Sequence, residues 1–215
     1  MRKLLLALVA LVLATSVAHA QGTANSVELT PTAGYWWGDT IHAGTINGVD
    51  SDVTIRDAPS YGLRVTFKVN PAFGVELFLS KERADLASGY GGLFGGTKVG
   101  TMDIGVAEAN FEWAFGHSRV VPFIVGGFGA MRLSPEFTAP VYPTYLSADT
   151  RFTGDFGGGM KVFFSPDVAL RLDLRWHSVD VGTDYGCGWY EYCGYYHSSN
   201  WLTFTEAGLG LTFVL

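Results

Sequence analysis

The chain has 215 residues, 14 basic against 20 acidic, and is 48% hydrophobic but only 16% charged. An ordinary soluble domain carries about 25% charged residues, so this composition speaks against a mostly polar surface. No stretch is basic enough to form a nucleic-acid footprint, and 28 glycines with 14% aromatic residues argue against a helical chain.

In chain order, Met1-Arg2-Lys3 is a short basic start and Leu4 to Leu13 an apolar run. Ala18-His19-Ala20 follows as a small-x-small cleavage pattern before Gln21. Ten apolar residues are too few to span a bilayer, so residues 1–20 are expected to be a cleaved secretory signal and residues 21–215 a single domain. Without Arg2 and Lys3, 12 basic residues face 20 acidic ones.

Strict alternation of apolar and polar residues then predicts eight strands, at 27–37, 61–69, 73–83, 101–115, 119–133, 151–164, 168–179 and 200–215. Asn70-Pro71, Gly116-His117-Ser118 and Ser165-Pro166-Asp167 make tight turns, whereas 39–58, 84–100, 134–150 and 180–199 are long connections. This alternation of short and long connections is the layout of an up-and-down transmembrane barrel, with short periplasmic turns and long external loops. The expected fold is therefore all-β, an eight-stranded antiparallel up-and-down transmembrane β-barrel.

The faces follow from the same alternation. Leu170, Leu172, Leu174 and Trp176 share one side of their strand, and Arg171, Asp173, Arg175 and His177 the other. In the strand at 61–69, Tyr61, Leu63, Val65 and Phe67 oppose Arg64, Thr66 and Lys68. Over the chain the polar faces collect Arg64, Lys68, Lys161, Arg171 and Arg175 against Glu76, Glu108, Glu112, Asp155, Asp173 and Glu206. Five positive and six negative residues nearly cancel, as charges confined to a narrow, side-chain-filled lumen must. Met102, Ile104 and Val106 break the phase of their strand, and 119–133 is apolar on both faces, so neither stretch has a clean assignment.

Aromatic residues cluster at strand ends. Tyr35, Trp37, Trp176 and Trp201 lie beside the long loops, and Trp113, Phe115, Phe164 and Phe213 beside the short turns or the terminus. These are the places of two interfacial girdles.

ELTPTAGYWWG, FGGGMKVFFSPDVALRLDLRWH and the terminal GLGLTFVL together resemble the small outer-membrane β-barrel family, the OmpA-, OmpX- and OmpW-like domains of Gram-negative bacteria. The resemblance spans essentially the whole mature chain and implies a place in the cell outer membrane. Implied partners are outer-membrane lipids and lipopolysaccharide, and the assembly machinery that reads the terminal strand. The expected state is a monomer. Such motifs specify a fold better than an activity.

Three stretches carry candidate chemistry. Cys187 and Cys193 are the only cysteines, in an exported chain, and are expected to pair as a disulfide that staples a tyrosine-rich loop. A metal site from the two with His197 has no established spacing. His197-Ser198-Ser199-Asn200 echoes the His-x-Ser-Asn of lipid A deacylases, for which Glu191 or Glu206 would have to serve as the acid. The glycine runs 91–96 and 156–160 lack the strand-to-helix setting of a phosphate cradle. No cofactor, metal or catalytic residue is assigned. Two readings remain: a non-enzymatic barrel with a structural or surface-interacting role through its loops, including contact with an external ligand, and a porin-like passive conduit for small, apolar molecules.

Overall fold

The computed structural model describes residues 25–41, 45–46, 49–50, 53–88, 97–116, 118–138, 149–180, 183–184, 197–198 and 201–215. Eight long strands make the wall: β1 Val27–Trp37, β2 Ala58–Lys68, β3 Phe73–Ser88, β4 Thr97–Ala114, β5 Val120–Phe137, β6 Asp149–Ser165, β7 Val168–Asp180 and β8 Trp201–Val214. Each pairs antiparallel with the next, and β1 pairs with β8, so the sheet closes on itself.

Closure is staggered. Followed across the ladder, Val27 leads to Phe67, Val75, Phe111, Gly126, Phe156, Trp176 and Thr205, and returns to β1 at Trp37, ten residues further on. With a strand rise of about 3.3 Å and a spacing of about 4.8 Å, that displacement tilts the strands by about 40° and leaves an interior only wide enough for side chains.

Turn chemistry fixes the short connections. Asn70 Oδ1 accepts hydrogen bonds from the backbone N–H of Ala72 at 2.9 Å and Phe73 at 2.8 Å, closing the β2–β3 turn around Pro71. Gly116, after β4, has φ +95°, which an L side chain rarely adopts.

Several strands outrun the sequence expectation. β3 continues to Ser88, β4 starts at Thr97, β5 reaches Phe137 and β6 starts at Asp149, so the connections expected at 84–100 and 134–150 are shorter. The reason is local: Arg83, Lys98 and Glu136 look polar enough to end a strand, yet they pair on the outside. Arg83 meets Asp103 and Glu136, and Lys98 meets Asp85, while Ala84, Leu86 and Met102 turn inward. The wall over β3–β6, with strands of 16 to 18 residues, stands taller than that over β7, β8, β1 and β2, with 11 to 14. The expected loop at 39–58 also contains strand: Val53–Ile55 pairs with β3 and with Thr40–Ile41. In the last connection, Thr183–Asp184 pairs with His197–Ser198. Residues 1–20, the expected signal, lie outside the described residues.

The burial pattern is turned inside out. Phe156, Phe152, Tyr61 and Trp113 are each more than half exposed, while Arg64, Arg171 and Arg175 have no exposed surface. An apolar exterior this continuous is not compatible with water on the outside.

Candidate functional site

Inside the barrel three layers follow one another along the strands. On β7, Ala169 is succeeded by Arg171, Asp173, Arg175 and His177, and then by Val179. On β4, Ala114 gives way to Glu112, Asn110 and Glu108, and those to Val106, Ile104 and Met102. A small apolar cluster at the short-turn end joins Ala114, Val121, Phe123, Val125, Phe163 and Ala169. A larger one at the long-connection end includes Trp36, Leu86, Met102, Ile104, Met131, Leu133, Leu202 and Phe204. The charged belt lies between them.

All eleven charged residues singled out from the sequence are buried in this belt. Glu76 stands at its centre. Arg171 Nη1 approaches its Oε2 at 2.6 Å, Arg64 Nη1 its Oε1 at 3.5 Å, and Arg175 Nη2 donates to Oε1. Arg175 also holds Asp155 at 3.0 Å, and Arg171 donates to Asp173 at 3.1 Å. With its amide turned to suit its neighbours, Asn110 donates to Asp155 at 2.7 Å and accepts from Arg175 at 2.8 Å. Toward the short-turn end, Glu112 takes Lys161 at 2.7 Å and Lys68 at 3.1 Å, and Lys161 also meets Glu28. At the other side His177 bridges Glu108 at 3.1 Å and Glu206 at 3.4 Å.

Two rings close the belt. Phe78 lies 3.8 Å below the Arg64 guanidinium and Phe123 4.5 Å from that of Arg171. Both are buried, where a desolvated cation over a ring gains most. Trp36 stacks on His177 at 4.8 Å and ties the belt to the larger apolar cluster.

Small residues make the room. A Cβ at Gly157 would come 2.9 Å from Arg175 Cγ, and one at Gly129 2.8 Å from Glu108 Cγ. Both are closer than real side chains approach, so these glycines face the long charged side chains.

Three further titratable residues are buried in the interior beside those eleven: Glu28 and His177 in the belt, and Glu82 at its border with the larger apolar cluster. Their parity on β1, β3 and β7 is the sequence signal that turns them inward, as it turns Arg175 beside His177. Their inclusion corrects the near-balance of five against six. Five permanent cations face eight carboxylates, and Glu82 has both oxygens buried with no hydrogen-bond partner among the described residues. The two unassigned stretches also resolve. Met102, Ile104 and Val106 face the same interior as Glu108 because β4 keeps one register with β5 throughout, and the interior itself turns apolar there. On β5, Val121, Phe123, Val125, Met131 and Leu133 point in, and Ile124 and Phe128 point out.

The eight aromatic residues placed in girdles, Tyr35, Trp37, Trp113, Phe115, Phe164, Trp176, Trp201 and Phe213, are all exposed on the outer face. Tyr35 meets Trp37 edge-on at 5.7 Å, and Trp113 stacks on Phe115 at 6.3 Å. Glu206, offered as a catalytic acid beside His197, is instead buried in the belt, accepting from Ser60 at 3.1 Å and facing Arg64 and His177. That corrects the arrangement, because its carboxylate is engaged with the lumen rather than the loop. Glu191, the cysteines Cys187 and Cys193, and the glycine run 91–96 lie outside the described residues, as do Ser199 and Asn200.

A closed barrel with an apolar outside, aromatic rings at both rims and a paired, buried charge belt is an integral membrane protein of the barrel class. The family model described as outer membrane protein beta-barrel domain matches residues 5–213, and the chain belongs to that family. Its place is the outer membrane; barrels of this class as a rule carry short periplasmic turns and longer external loops. Among solved structures it is similar to the outer membrane protein OprG from Pseudomonas aeruginosa, with a TM-score of 0.62 and 11% identity over 92% of this chain and 99% of that one. The outer membrane protein AlkL gives a TM-score of 0.54 and 17% identity over 92% and 94% of the two chains. Neisserial surface protein A gives 0.51 and 11% over 90% and 99%. Comparison with curated proteins gives no match.

Proposed function

We propose that this chain is a non-conducting, non-enzymatic outer-membrane barrel whose role is structural or surface-interacting, carried by its outer faces and external loops. One observation carries the reading: Arg64, Arg171 and Arg175 have no exposed surface and are held by carboxylates between two apolar clusters. An ion crossing the belt would have to break several buried pairs at once, each costly to leave half-made. Purified protein in planar bilayers is expected to give no discrete conductance steps, and vesicles carrying it to exclude small sugars. Stepwise conductance would overturn the proposal. Lipid A from cells with and without the protein is expected to have the same acyl content.

A second reading, a passive conduit for small apolar molecules, draws on the apolar character of the side chains packed at the long-connection end, among them Met102, Met131, Leu133 and Leu202. Faster entry of an apolar dye into vesicles carrying the barrel, with no ion conductance, would favour it.

A further inference from the structure

The charges of the lumen balance at two levels and fail to balance at a third. On the short-turn side, Glu28 and Glu112 share Lys68 and Lys161. In the middle, Glu76, Asp155 and Asp173 share Arg64, Arg171 and Arg175. Toward the larger apolar cluster stand Glu82, Glu108 and Glu206, with His177 and, for Glu206, a share in Arg64 that Glu76 and Asp173 already draw on. The acidic excess of the lumen therefore gathers, among the described residues, at this one level. His177 faces Glu108 with one ring nitrogen and Glu206 with the other, so the ring donates from both and offsets one carboxylate. Two negative charges are left over.

Glu82 is turned toward that bridge. It is 2% exposed, pairs across the ladder with Ser60, whose hydroxyl donates to Glu206 at 3.1 Å, and feels the charges of Glu206, His177 and Glu108. Neither of its oxygens has a hydrogen-bond partner, and the same holds for Ser80 Oγ beside it and for Glu108 Oε2. Three unclaimed carboxylate oxygens and a hydroxyl thus lie where the charge is uncompensated, and buried charge without a counter-charge is very costly. With both imidazole nitrogens taken, only oxygen donors remain, which suits an alkaline-earth ion rather than a transition metal. No three acids or histidines converge on one point among the described residues. The ion therefore keeps much of its water shell, as Mg²⁺ does when one or two carboxylates hold it.

We infer that the lumen binds one hydrated divalent cation, of the Mg²⁺ or Ca²⁺ class, between Glu82 and Glu108 at the border of the belt. Its two charges match the two left over. Trp36, Leu86 and Met102 belong to the cluster that covers this level, so the ion is taken up as the barrel closes. The inference goes beyond the proposed function, because ion retention is read separately from conductance. The test is to refold the barrel in zwitterionic detergent with Mg²⁺ or Ca²⁺, remove free ions by gel filtration, and count metal per folded chain by elemental mass spectrometry. Wild type is expected to retain about one equivalent of at least one of the two ions, and Glu82→Gln at least tenfold less. Asp103→Asn, which removes an acid from the outer wall beside Arg83, should retain as much as wild type. Wild type refolded with the retained ion should unfold in urea at least tenfold more slowly than wild type refolded with chelator, while Glu82→Gln should unfold alike in both. A folded wild type that retains neither ion, or equal retention by Glu82→Gln, would overturn the inference; so would an unfolding rate that chelator leaves unchanged.

Discussion

The charged belt and the external apolar cluster are built from the same strands, on the same inward face, a few residues apart, yet they follow opposite rules. In the belt a side chain is tolerable only through its partners. In the cluster it is tolerable because it has no polar atom to satisfy. β3 shows both outcomes. Glu76 receives three arginines, whereas Glu82, six residues on, reaches the level of Ala84 and Ile104, where the interior has turned apolar. Burial alone therefore does not tell which charges hold the barrel together; the partner set does.

The comparison can be broken by substitution. The largest effect is expected at the centre of the belt. Glu76→Leu leaves three buried arginines short of an acceptor and should cost about 3–5 kcal/mol, read by urea unfolding in lipid vesicles. In the external cluster, Met131→Ala removes fully buried apolar volume and should cost roughly 2–5 kcal/mol. That loss should be unaffected by salt. Outside, Leu172→Arg puts a charge against lipid and should cost roughly 2–4 kcal/mol near mid-membrane, while Leu172→Ala, which opens no internal cavity, should be far milder. A severe Leu172→Ala beside a harmless Glu76→Leu would turn the barrel the other way out. The smallest effect expected is in the last external loop: non-reducing mass spectrometry should find Cys187 and Cys193 oxidised, with no free thiol to label.

Much of this was legible in the sequence where the alternation was unbroken. β1 runs over the residues its alternation marks, and β7 declares its lipid and lumen faces outright through Leu172 and Leu174 against Arg171, Asp173 and Arg175. β5 was illegible for a physical reason. Its inward side meets apolar clusters at both ends and glycines between, so apolar residues occupy both faces and no period survives. Only its pairing with β4 and β6 sets the parity. The height of the wall over β3–β6 was hidden by Arg83, Lys98 and Glu136, which read as loop residues until their cross-strand pairs are seen. Glu82 was hidden because a carboxylate beside Lys81 and Arg83 reads as part of an exposed charged run.

Glu76 and Glu82, equally buried on one strand, differ most sharply in their partners. The decisive measurement is the unfolding free energy, in the same lipid vesicles, of Glu76→Leu and Glu82→Leu. Glu76→Leu should destabilise by about 3–5 kcal/mol. Glu82→Leu, which removes a buried carboxylate lacking hydrogen bonds, should be neutral or stabilising by about 1–3 kcal/mol. Equal destabilisation by both, or a neutral Glu76→Leu, would contradict the claim that a partnered belt, rather than burial as such, holds the lumen closed.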